Sequence, residues 1–591
     1  MSKKSASTGF RSYPTLFKGV KLPWLHILFS LIVNVLAVTL QIRTFTLTAN
    51  IIDQAKMAIQ IDSLTDYIVT LSLAGLLTIL TYFADGWMEQ TIDLRVRTRV
   101  WDQIMHLPAQ YYDADNGKEL ISRVTSDVTA VSSLFVLIIS MITGIYGIIS
   151  VFVQLFSYQA QLASWALLIL PMTLIFSMVY SLLTHKAGLL TNVHQARSLG
   201  YIAERVVNFR LIKSAVTEEE EKKQASAHFG KLYIADLLSG ISVSTFQIWM
   251  SLFNIVFIVV SFAAGSRYLQ DGSITSGRLI GFYSLSGVIT LRLVNMLSSI
   301  GGFASVRGIM TKVVQLMSAE TEDFSGPDLP DTGADLKLEN VSFGYLPQID
   351  ILSDLSFTLP RGEVTAIIGT NGSGKSTVLK LLTRMYDPRQ GRISLGQEDI
   401  RNYGLAAWRR KFSVVTQGNP LMSGTVRENM LYGLERSVTE EELLKVARLT
   451  GVADFVGEKA ADYDVQVGPN GSNFSGGQQQ LIAIARAMLR DSDFLLLDEA
   501  TSNLDIKSEV QVNRALDELM KGRTTVIIAH NFAATRAAKN VIVLHEGRVE
   551  AVGTPAELLQ SNDYYNHFVR SEAEESLPGC DLPAGQAVPR G

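Results

Sequence analysis

The distribution of apolar residues divides the chain into two parts near residue 310. Before that point, apolar residues form long runs without charge, and beyond it short apolar segments alternate with charged ones. A helix needs about 20 mostly apolar residues to cross the hydrocarbon core of a bilayer. Six stretches of the first part meet this requirement: residues 24–42, 66–88, 131–155, 161–184, 242–265 and 278–300. We therefore predict a membrane domain of six α-helices, followed by a soluble domain.

The connections between these stretches differ in length and charge. Two are long and rich in Lys and Arg, from Glu89 to Thr129 and from His185 to Gly240, whereas the others are short and hold few positive charges. Positively charged loops stay on the cytoplasmic side, so both long connections, both termini and the soluble domain are expected in the cytoplasm. Short outer loops and no recognisable organelle-targeting segment favour the bacterial inner (cytoplasmic) membrane, and an organelle membrane is the alternative.

Both long connections contain helix-compatible sequence, such as TIDLRVRTRVWDQIMHL. The membrane helices are therefore expected to continue beyond the bilayer as long cytoplasmic extensions. The turns at Tyr111–Gly117 and Asn208–Lys213 are the expected contact tips of these extensions.

Composition shifts divide the chain into five predicted segments. Residues 1–23 form an N-terminal cytoplasmic segment that resembles an amphipathic helix at the membrane interface, and residues 24–318 form the membrane domain. Residues 319–335 are a linker rich in Pro, Gly and Asp, and residues 336–572 are the soluble domain. Residues 573–591 form a tail rich in Pro and Gly that is expected to be disordered, and its VPRG ending resembles a remnant of expression cloning.

A few polar side chains interrupt the last two apolar stretches. Gln247 and Trp249 lie in the fifth stretch, and Arg292 and Asn295 lie in the sixth. Polar groups are costly in lipid, so these residues are expected to face an inner, water-accessible cavity. Snorkelling or pairing between helices is the alternative, and none of the four is assigned to a transported solute from the sequence.

The overall charge argues against a nucleic-acid partner, and the cysteine content excludes an internal disulfide and a multi-cysteine metal site. The net charge is −4, which gives no electrostatic support for a nucleic-acid partner. The single cysteine, Cys580, can form no internal disulfide and no multi-cysteine metal site.

The soluble part contains a glycine loop between an apolar strand pattern and a helix pattern, GEVTAIIGTNGSGKSTVLKLL. It matches G-x-x-x-x-G-K-[ST], in which backbone N–H groups and a helix N-terminus surround a triphosphate. Lys375 is expected to reach the β and γ phosphates, and Ser376 to bind Mg²⁺. The predicted phosphate-binding residues are Gly369, Thr370, Asn371, Gly372, Ser373, Gly374, Lys375, Ser376 and Thr377.

A second motif, DFLLLDEATSNLD, reads as a buried parallel strand that ends in two carboxylates. Ligands of such sheets gather at the carboxyl ends of the strands. Asp498 can hold Mg²⁺ through water, and Glu499 can polarise the attacking water; a helix cap is the alternative. Gln417 and His530 supply two more polar groups at strand or loop ends.

These motifs, together with FSGGQQQ (Phe474–Gln480), occur in the order and spacing of an ATP-binding cassette (ABC) ATPase. With the six spans, the sequence from about residue 10 to 570 resembles an exporter-type half-transporter. The resemblance implies a six-helix membrane domain, followed along the chain by an α/β P-loop domain with a RecA-like core and a helical subdomain. It also implies ATP hydrolysis coupled to transport.

The resemblance further implies roles for individual residues. Tyr345 would stack on adenine, and Gln417 would contact Mg²⁺ and sense the membrane domain. Glu499 would be the general base, Asp505 would communicate across a dimer, and His530 would contact the γ-phosphate. The signature residues would bind ATP held by another chain, and they are Ser475, Gly476, Gly477 and Gln478.

Two half-transporters would therefore pair head to tail. The intact signature and Glu499 favour a homodimer, and a heterodimer is the alternative. The chain departs from the family pattern at Phe474, Pro469, Leu481 and Asn531. None of these changes removes a group of the ATP chemistry, so they put coupling details in doubt more than catalysis.

The predicted function is ATP-driven export by alternating access, in contact with membrane lipids. The expected solute is an amphipathic or hydrophobic small molecule, a lipid or a peptide. A siderophore-type importer with the same fold is one alternative, and a nucleotide-gated channel or regulator is another.

Overall fold

The computed structural model describes residues 17, 20–54, 61–113, 117–329, 333–416, 418, 420–498, 506–529, 535 and 537–575. The chain divides into two compact units. The helical unit comprises Met1–Met105 and Gly117–Ala319, and the sheet unit comprises His106–Asn116 and Glu320–Gly591. Residues of the first long connection thus belong to the sheet unit.

Ten α-helices are described before residue 318: α1 (Trp24–Gln54), α2 (Ile61–Met105), α3 (Ala109–Asp113), α4 (Gly117–Ser122), α5 (Val128–Tyr158), α6 (Ala160–Ala166), α7 (Ile169–Val207), α8 (Phe209–Ala215), α9 (Glu218–Gln270) and α10 (Ser276–Met317). A π-helical turn, Arg123–Asp127, joins α4 to α5. In the described part of the chain, six helices are long and apolar enough to cross a membrane. Five of them contain a stretch predicted from the sequence, and the remaining one, Ala160–Tyr180, covers most of the stretch 161–184, so the six-span prediction is confirmed.

Several of these helices are much longer than a bilayer requires. The longest, α9, has 53 residues, which corresponds to about 80 Å at 1.5 Å per residue. Helix α2 continues to Met105, and α7 continues to Val207. The prediction of helical extensions beyond the membrane is confirmed.

The expected contact tips are only partly covered by the described residues. The first tip begins within α3, and its residues 114–116 lie outside the described part of the chain. The second is α8, which follows a break in the helix at Asn208 and exposes the apolar side chains of Phe209 and Leu211. Most of the predicted interfacial segment, residues 1–23, also lies outside the described residues, and residues 20–23 are described but not helical.

Polar side chains tie the membrane helices to one another. The Arg292 guanidinium on α10 donates a hydrogen bond to the Gln41 side chain on α1 at 2.8 Å. Asn34 on α1 donates to Asp85 on α2 at 2.9 Å. Trp249 is exposed and its ring stacks on Phe176 at 6.2 Å. Arg292 therefore has an interhelical partner, and an inner cavity lined by these residues stays a prediction.

The sheet unit contains twelve described strands: β1 (Leu336–Phe343), β2 (Leu352–Leu359), β3 (Val364–Gly369), β4 (Gln390–Leu395), β5 (Glu398–Asp399), β6 (Phe412–Val415), β7 (Gly424–Thr425), β8 (Gln466–Val467), β9 (Phe494–Asp498), β10 (Thr524–Ile528), β11 (Asn540–His545) and β12 (Arg548–Gly553). One sheet has the order β2-β1-β4-β5 and is antiparallel. The central sheet has the order β12-β11-β3-β10-β9-β6 and is parallel except at β12.

After residue 335, the sheet unit also contains nine described α-helices: α11 (Lys375–Leu382), α12 (Leu405–Arg410), α13 (Val426–Met430), α14 (Glu440–Thr450), α15 (Ala453–Val456), α16 (Gly476–Arg490), α17 (Ile506–Met520), α18 (Pro555–Ser561) and α19 (Asp563–Glu575). One apolar core includes Leu381 of α11 and Ile367 of β3. Another includes Ile482 of α16 and Leu495 of β9. The predicted α/β fold is confirmed, with its parallel strands buried on both faces.

Candidate functional site

Four parallel strands of the central sheet end at one edge. The pairing of β10 with β9 and β3 aligns Ile528 with Asp498 and with Ile367. Since parallel strands share one direction, the loops after β3, β6, β9 and β10 all leave from this edge. The sequence therefore brings the phosphate loop and Asp498 to one end of the sheet. Gln417, Glu499 and His530 follow three of these strands, and they lie with Asp505 outside the described residues.

The phosphate loop joins the end of β3 to the start of α11. Gly374 precedes the helix with φ 97°, a left-handed conformation that favours glycine. A Cβ atom at this position would lie 2.4 Å from Leu352 Cδ2. The loop conformation and its close packing thus both require glycine where the pattern has one.

Lys375 folds back onto this loop. Its side chain is 6 % exposed, and its Nζ donates to the carbonyl oxygens of Gly369 at 2.8 Å and of Thr370 at 3.1 Å. The Ser373 hydroxyl is buried and has no hydrogen-bond partner among the described residues. Because a buried, unpaired hydroxyl is costly, this loop suits an oxygen-rich ligand such as phosphate.

Two further hydroxyl or carboxylate groups lie near this loop in the fold. Ser376 is exposed on the first turn of α11, next to Lys375. Asp498 is half-buried at the last position of β9, two strands away from β3. Oxygen ligands of these types suit Mg²⁺.

Tyr345 lies beside the phosphate-loop helix. Its hydroxyl is 3.3 Å from Thr377 Oγ1, and its ring is 40 % exposed. Tyr386 contacts that ring edge-on at 5.2 Å, and Lys380 Nζ lies 5.2 Å from the ring centroid. Sequence reasoning did not identify Lys380 or Tyr386, because no short motif contains them.

A cavity of about 980 Å³ opens beside Tyr345 within the sheet unit. Its lining combines aromatic and charged side chains, among them Tyr386, Arg389, Glu322 and Gln110 of the first long connection. Arg389 holds the turn that carries Tyr345, since it donates to Gly344 O at 2.7 Å. An aromatic face at a polar cavity suits the base of a nucleotide.

The signature segment forms the beginning of α16. Ser475 is the N-cap: its hydroxyl accepts the Gln478 N–H at 3.3 Å, and its own N–H donates to Gln478 Oε1 at 2.9 Å. This reciprocal capping box fixes the first turn of the helix. Ser475 and Gly476 are exposed, so the N-terminus of α16 is open to an anion.

Gly477 has a different environment. It is buried, and a Cβ atom there would lie 2.6 Å from Ser508 Cβ on α17. The second glycine of the signature therefore permits close packing of α16 on α17. The sequence interpretation, which assigned it to phosphate approach alone, lacked this reason.

Comparison with known proteins decides the family. The family model described as "ABC transporter transmembrane region" matches residues 24–293, and the model described as "ABC transporter" matches residues 352–502. A "Multidrug resistance ABC transporter ATP-binding and permease protein" of Lactococcus lactis is 31% identical over 493 residues, which cover 82% of this chain and 83% of that protein. The chain belongs to the ABC transporter family. Like other members, it couples ATP hydrolysis to transport.

This ABC transporter is also similar to a second named relative and to a solved structure. An "ATP-dependent lipid A-core flippase" of Photorhabdus laumondii is 30% identical over 515 residues, covering 85% of this chain and 87% of that protein. A solved structure described as a "bacterial Atm1-family ABC exporter with ATP bound" has a TM-score of 0.78 and 20% identity. It covers 94% of this chain and 98% of that chain, and it shows the shared fold.

The departures of this ABC transporter from the family pattern have structural explanations at two positions. Leu481, which stands where a basic residue is common, is 2 % exposed and belongs to the apolar core under α16. Phe474 contacts Phe455 edge-on at 6.0 Å and packs against the same core. Both changes add apolar contacts beneath the signature helix.

Helix α16 is also tied to the segment that follows Gln417. The Arg486 guanidinium donates to the carbonyl oxygens of Asn429 at 2.8 Å and of Pro420 at 3.4 Å. Burial lowers the pKa of Arg486. Because a buried charge is costly without partners, these hydrogen bonds to carbonyl oxygens stabilise the charged guanidinium. Sequence reasoning missed this residue, because its partners are more than fifty positions away.

Proposed function

We propose that this ABC transporter is an exporter that works as a dimer in the bacterial inner membrane. The solute it moves out of the cytoplasm is an amphipathic or hydrophobic small molecule, a lipid or a peptide. The relative from Lactococcus lactis is named for multidrug resistance and the one from Photorhabdus laumondii for lipid A-core, which supports small molecules and lipids within this range. The positive charge of the two long connections supports a cytoplasmic ATP-binding domain.

The observation that carries the dimer is the exposed start of α16. Ser475 and Gly476 offer an anion site that follows a separate phosphate loop in the same chain. In the proposed arrangement, Lys375 of one chain and Ser475 of the other chain bind the same nucleotide. Two identical chains would give two competent sites, since this sequence retains Glu499 and the whole signature.

The residues of the proposed site have distinct roles. Lys375 and the backbone of Gly369–Thr377 hold the phosphates, and Tyr345 stacks on the base. Ser376, Gln417 and Asp498 would hold Mg²⁺, which offsets the charge that develops on the transferred phosphoryl group. Glu499 orients the attacking water and accepts its proton, His530 stabilises the γ-phosphate, and Asp505 lies at the dimer contact.

Alternating access then follows from binding at both chains. Nucleotide binding closes the dimer, because each nucleotide is completed by residues of two chains, and hydrolysis resets it. The tips at Tyr111–Gly117 and Asn208–Lys213 transmit this closure to the membrane helices. The exposed apolar side chains of Phe209 and Leu211 support a contact role for the second tip.

A screen of ATP turnover tests this function. The full chain in lipid nanodiscs is exposed to amphipathic cations, amphipathic anions, lipids, peptides and, as a control, hydrophilic solutes, one class at a time. We expect one class to stimulate Mg-ATP turnover of the parent, and no class to stimulate Glu499→Gln. Stimulation by hydrophilic solutes alone would contradict the proposed solute range, and native mass spectrometry of the same sample would reveal a monomer if the dimer were wrong.

A further inference from the structure

The linker and the first long connection meet inside the sheet unit. The Glu322 N–H donates to the carbonyl oxygen of His106 at 2.7 Å, and the His106 ring contacts Phe324 edge-on at 5.5 Å. Tyr112 lies on the same segment as His106, and both burial and the neighbouring Glu322 carboxylate raise the pKa of Tyr112. The linker and the first long connection are therefore hydrogen-bonded to each other at Glu322.

Arg409 on α12 holds the Glu322 side chain. Its two terminal nitrogens donate to the two carboxylate oxygens of Glu322 at 2.8 and 2.7 Å. This paired geometry is the strongest that an arginine and a carboxylate can form. The side chains are only 20 % and 13 % exposed, so loss of either partner leaves a poorly hydrated charge.

The same guanidinium binds the end of the phosphate-loop helix. Arg409 donates to the carbonyl oxygens of Thr383 at 3.3 Å and of Arg384 at 2.9 Å. Thr383 is the C-cap of α11, and the first residue of α11 is Lys375. Arg409 thus lies at the carboxyl end of an eight-residue helix whose other end is the phosphate loop.

The backbone of Arg409 is joined to the signature helix as well. Arg490, the last residue of α16, donates to the Arg409 carbonyl oxygen at 3.1 Å. The N-terminus of α16 begins beside Ser475. One residue of α12 therefore contacts the linker, the phosphate-loop helix and the signature helix.

We propose that the Glu322–Arg409 ion pair is a positioning contact that makes the rate of ATP turnover depend on the membrane domain. A movement of the linker or of the first long connection reaches Glu322, and Arg409 passes it to the end of α11. Arg409 does not line the cavity beside Tyr345, and Glu322 lines it with a carboxylate that Arg409 already holds. The inference rests on the proposed function only in that the membrane domain changes shape during turnover.

The adjacent residue supplies a matched control. Arg410 lies on the same helix and forms its own ion pair with Glu435 at 2.7 Å. Those side chains are 54 % and 70 % exposed, and an exposed pair contributes little. Arg410→Gln therefore removes the same charge from α12. It leaves the hydrogen bonds of Arg409 to Glu322 and to the end of α11 in place.

The test compares the full-length parent with Glu322→Gln, Arg409→Gln, the double variant and Arg410→Gln. Mg-ATP turnover is measured over a range of ATP concentrations, both in nanodiscs of phosphatidylethanolamine and phosphatidylglycerol and in dodecyl maltoside micelles. Thermal melting of each variant reports the folded fraction, and turnover is normalised to it. Glu322→Gln keeps the shape of the side chain, so it remains informative if Arg409→Gln folds poorly.

We expect the parent to turn over at different rates in nanodiscs and in micelles. Both single variants should lose kcat in nanodiscs by about fivefold or more, the scale of a typical coupling between sites. The KM of Arg409→Gln for ATP should stay near that of the parent, and the rates of both single variants in the two environments should converge. The double variant should match Arg409→Gln, because both changes break one contact.

Three results would overturn the inference. One is a parent-like kcat in both single variants, and another is an equal loss in Arg410→Gln. The third is a parent whose turnover ignores its lipid environment. A parent that hydrolyses ATP but moves no solute would instead contradict the proposed export, and the effect of the variants on turnover would still be measured.

Discussion

Replacement of Gly477 by alanine tests whether the second signature glycine serves helix packing. The added Cβ would lie 2.6 Å from Ser508 Cβ and 2.8 Å from Ser508 Oγ. Carbon atoms in contact prefer about 3.5–4.0 Å, so α17 must move by roughly 1 Å. Such overpacking costs about 1–3 kcal/mol. The higher helix propensity of alanine offsets at most about 1 kcal/mol of this cost.

Thermal melting of the full-length protein measures the effect. For a domain of this size, each kcal/mol lowers Tm by about 2–4 °C, and the transition of the sheet unit should shift down accordingly. Ser508→Gly removes both clashing atoms, so Gly477→Ala should destabilise the Ser508→Gly background less than it destabilises the parent. Ser508→Ala keeps the Cβ atom, so in that background Gly477→Ala should destabilise the protein nearly as much as in the parent.

The reasoning fails if Gly477→Ala has the same Tm as the parent. It also fails if Gly477→Ala lowers Tm as much in the Ser508→Gly background as in the parent. ATP turnover separates packing from a direct role at the nucleotide. Recovery of both Tm and turnover in the double variant supports packing alone. Recovery of Tm without turnover would show that Gly477 has a second role beside the phosphate.

Three further substitutions test the site and the fold. Ser475→Arg should leave ATP binding at Lys375 largely intact, measured with a fluorescent ATP analogue, while it abolishes turnover; lost binding would contradict a site shared by two chains. Tyr345→Ala should weaken ATP binding about fivefold or more, and an unchanged KM would contradict stacking on the base. Trp408 is fully buried and donates its indole N–H to Leu382 O at 2.8 Å, so Trp408→Ala should cost about 3–5 kcal/mol, seen as a lower Tm of the sheet unit; a parent-like Tm would contradict that burial.

The membrane helices illustrate what hydropathy can and cannot predict. The stretch 66–88 was located from its apolar residues, yet the helix that contains it runs from Ile61 to Met105. Hydropathy reports the part of a helix that meets lipid, whereas the extension beyond it is amphipathic and is stabilised by other protein segments. The pairing of Arg292 with Gln41 joins residues 251 positions apart, a separation that no local pattern encodes.

The nucleotide site divides in the same way. Its glycine loop and its strand-end carboxylate are local patterns, because the backbone turn and the sheet edge require those residue types. The side chains that hold these elements in place are not local. Arg409 has its carboxylate partner 87 positions away, and Leu481 departs from the family pattern because its surroundings are apolar.

The most direct test of ATP-driven export is solute movement in proteoliposomes. The stimulating solute from the turnover screen is added outside vesicles that contain the full chain with the ATP-binding domain facing outward. We predict accumulation inside that requires Mg-ATP and is lost in Glu499→Gln. ATP turnover without accumulation, or ATP-driven release of solute preloaded inside the vesicles, would contradict export.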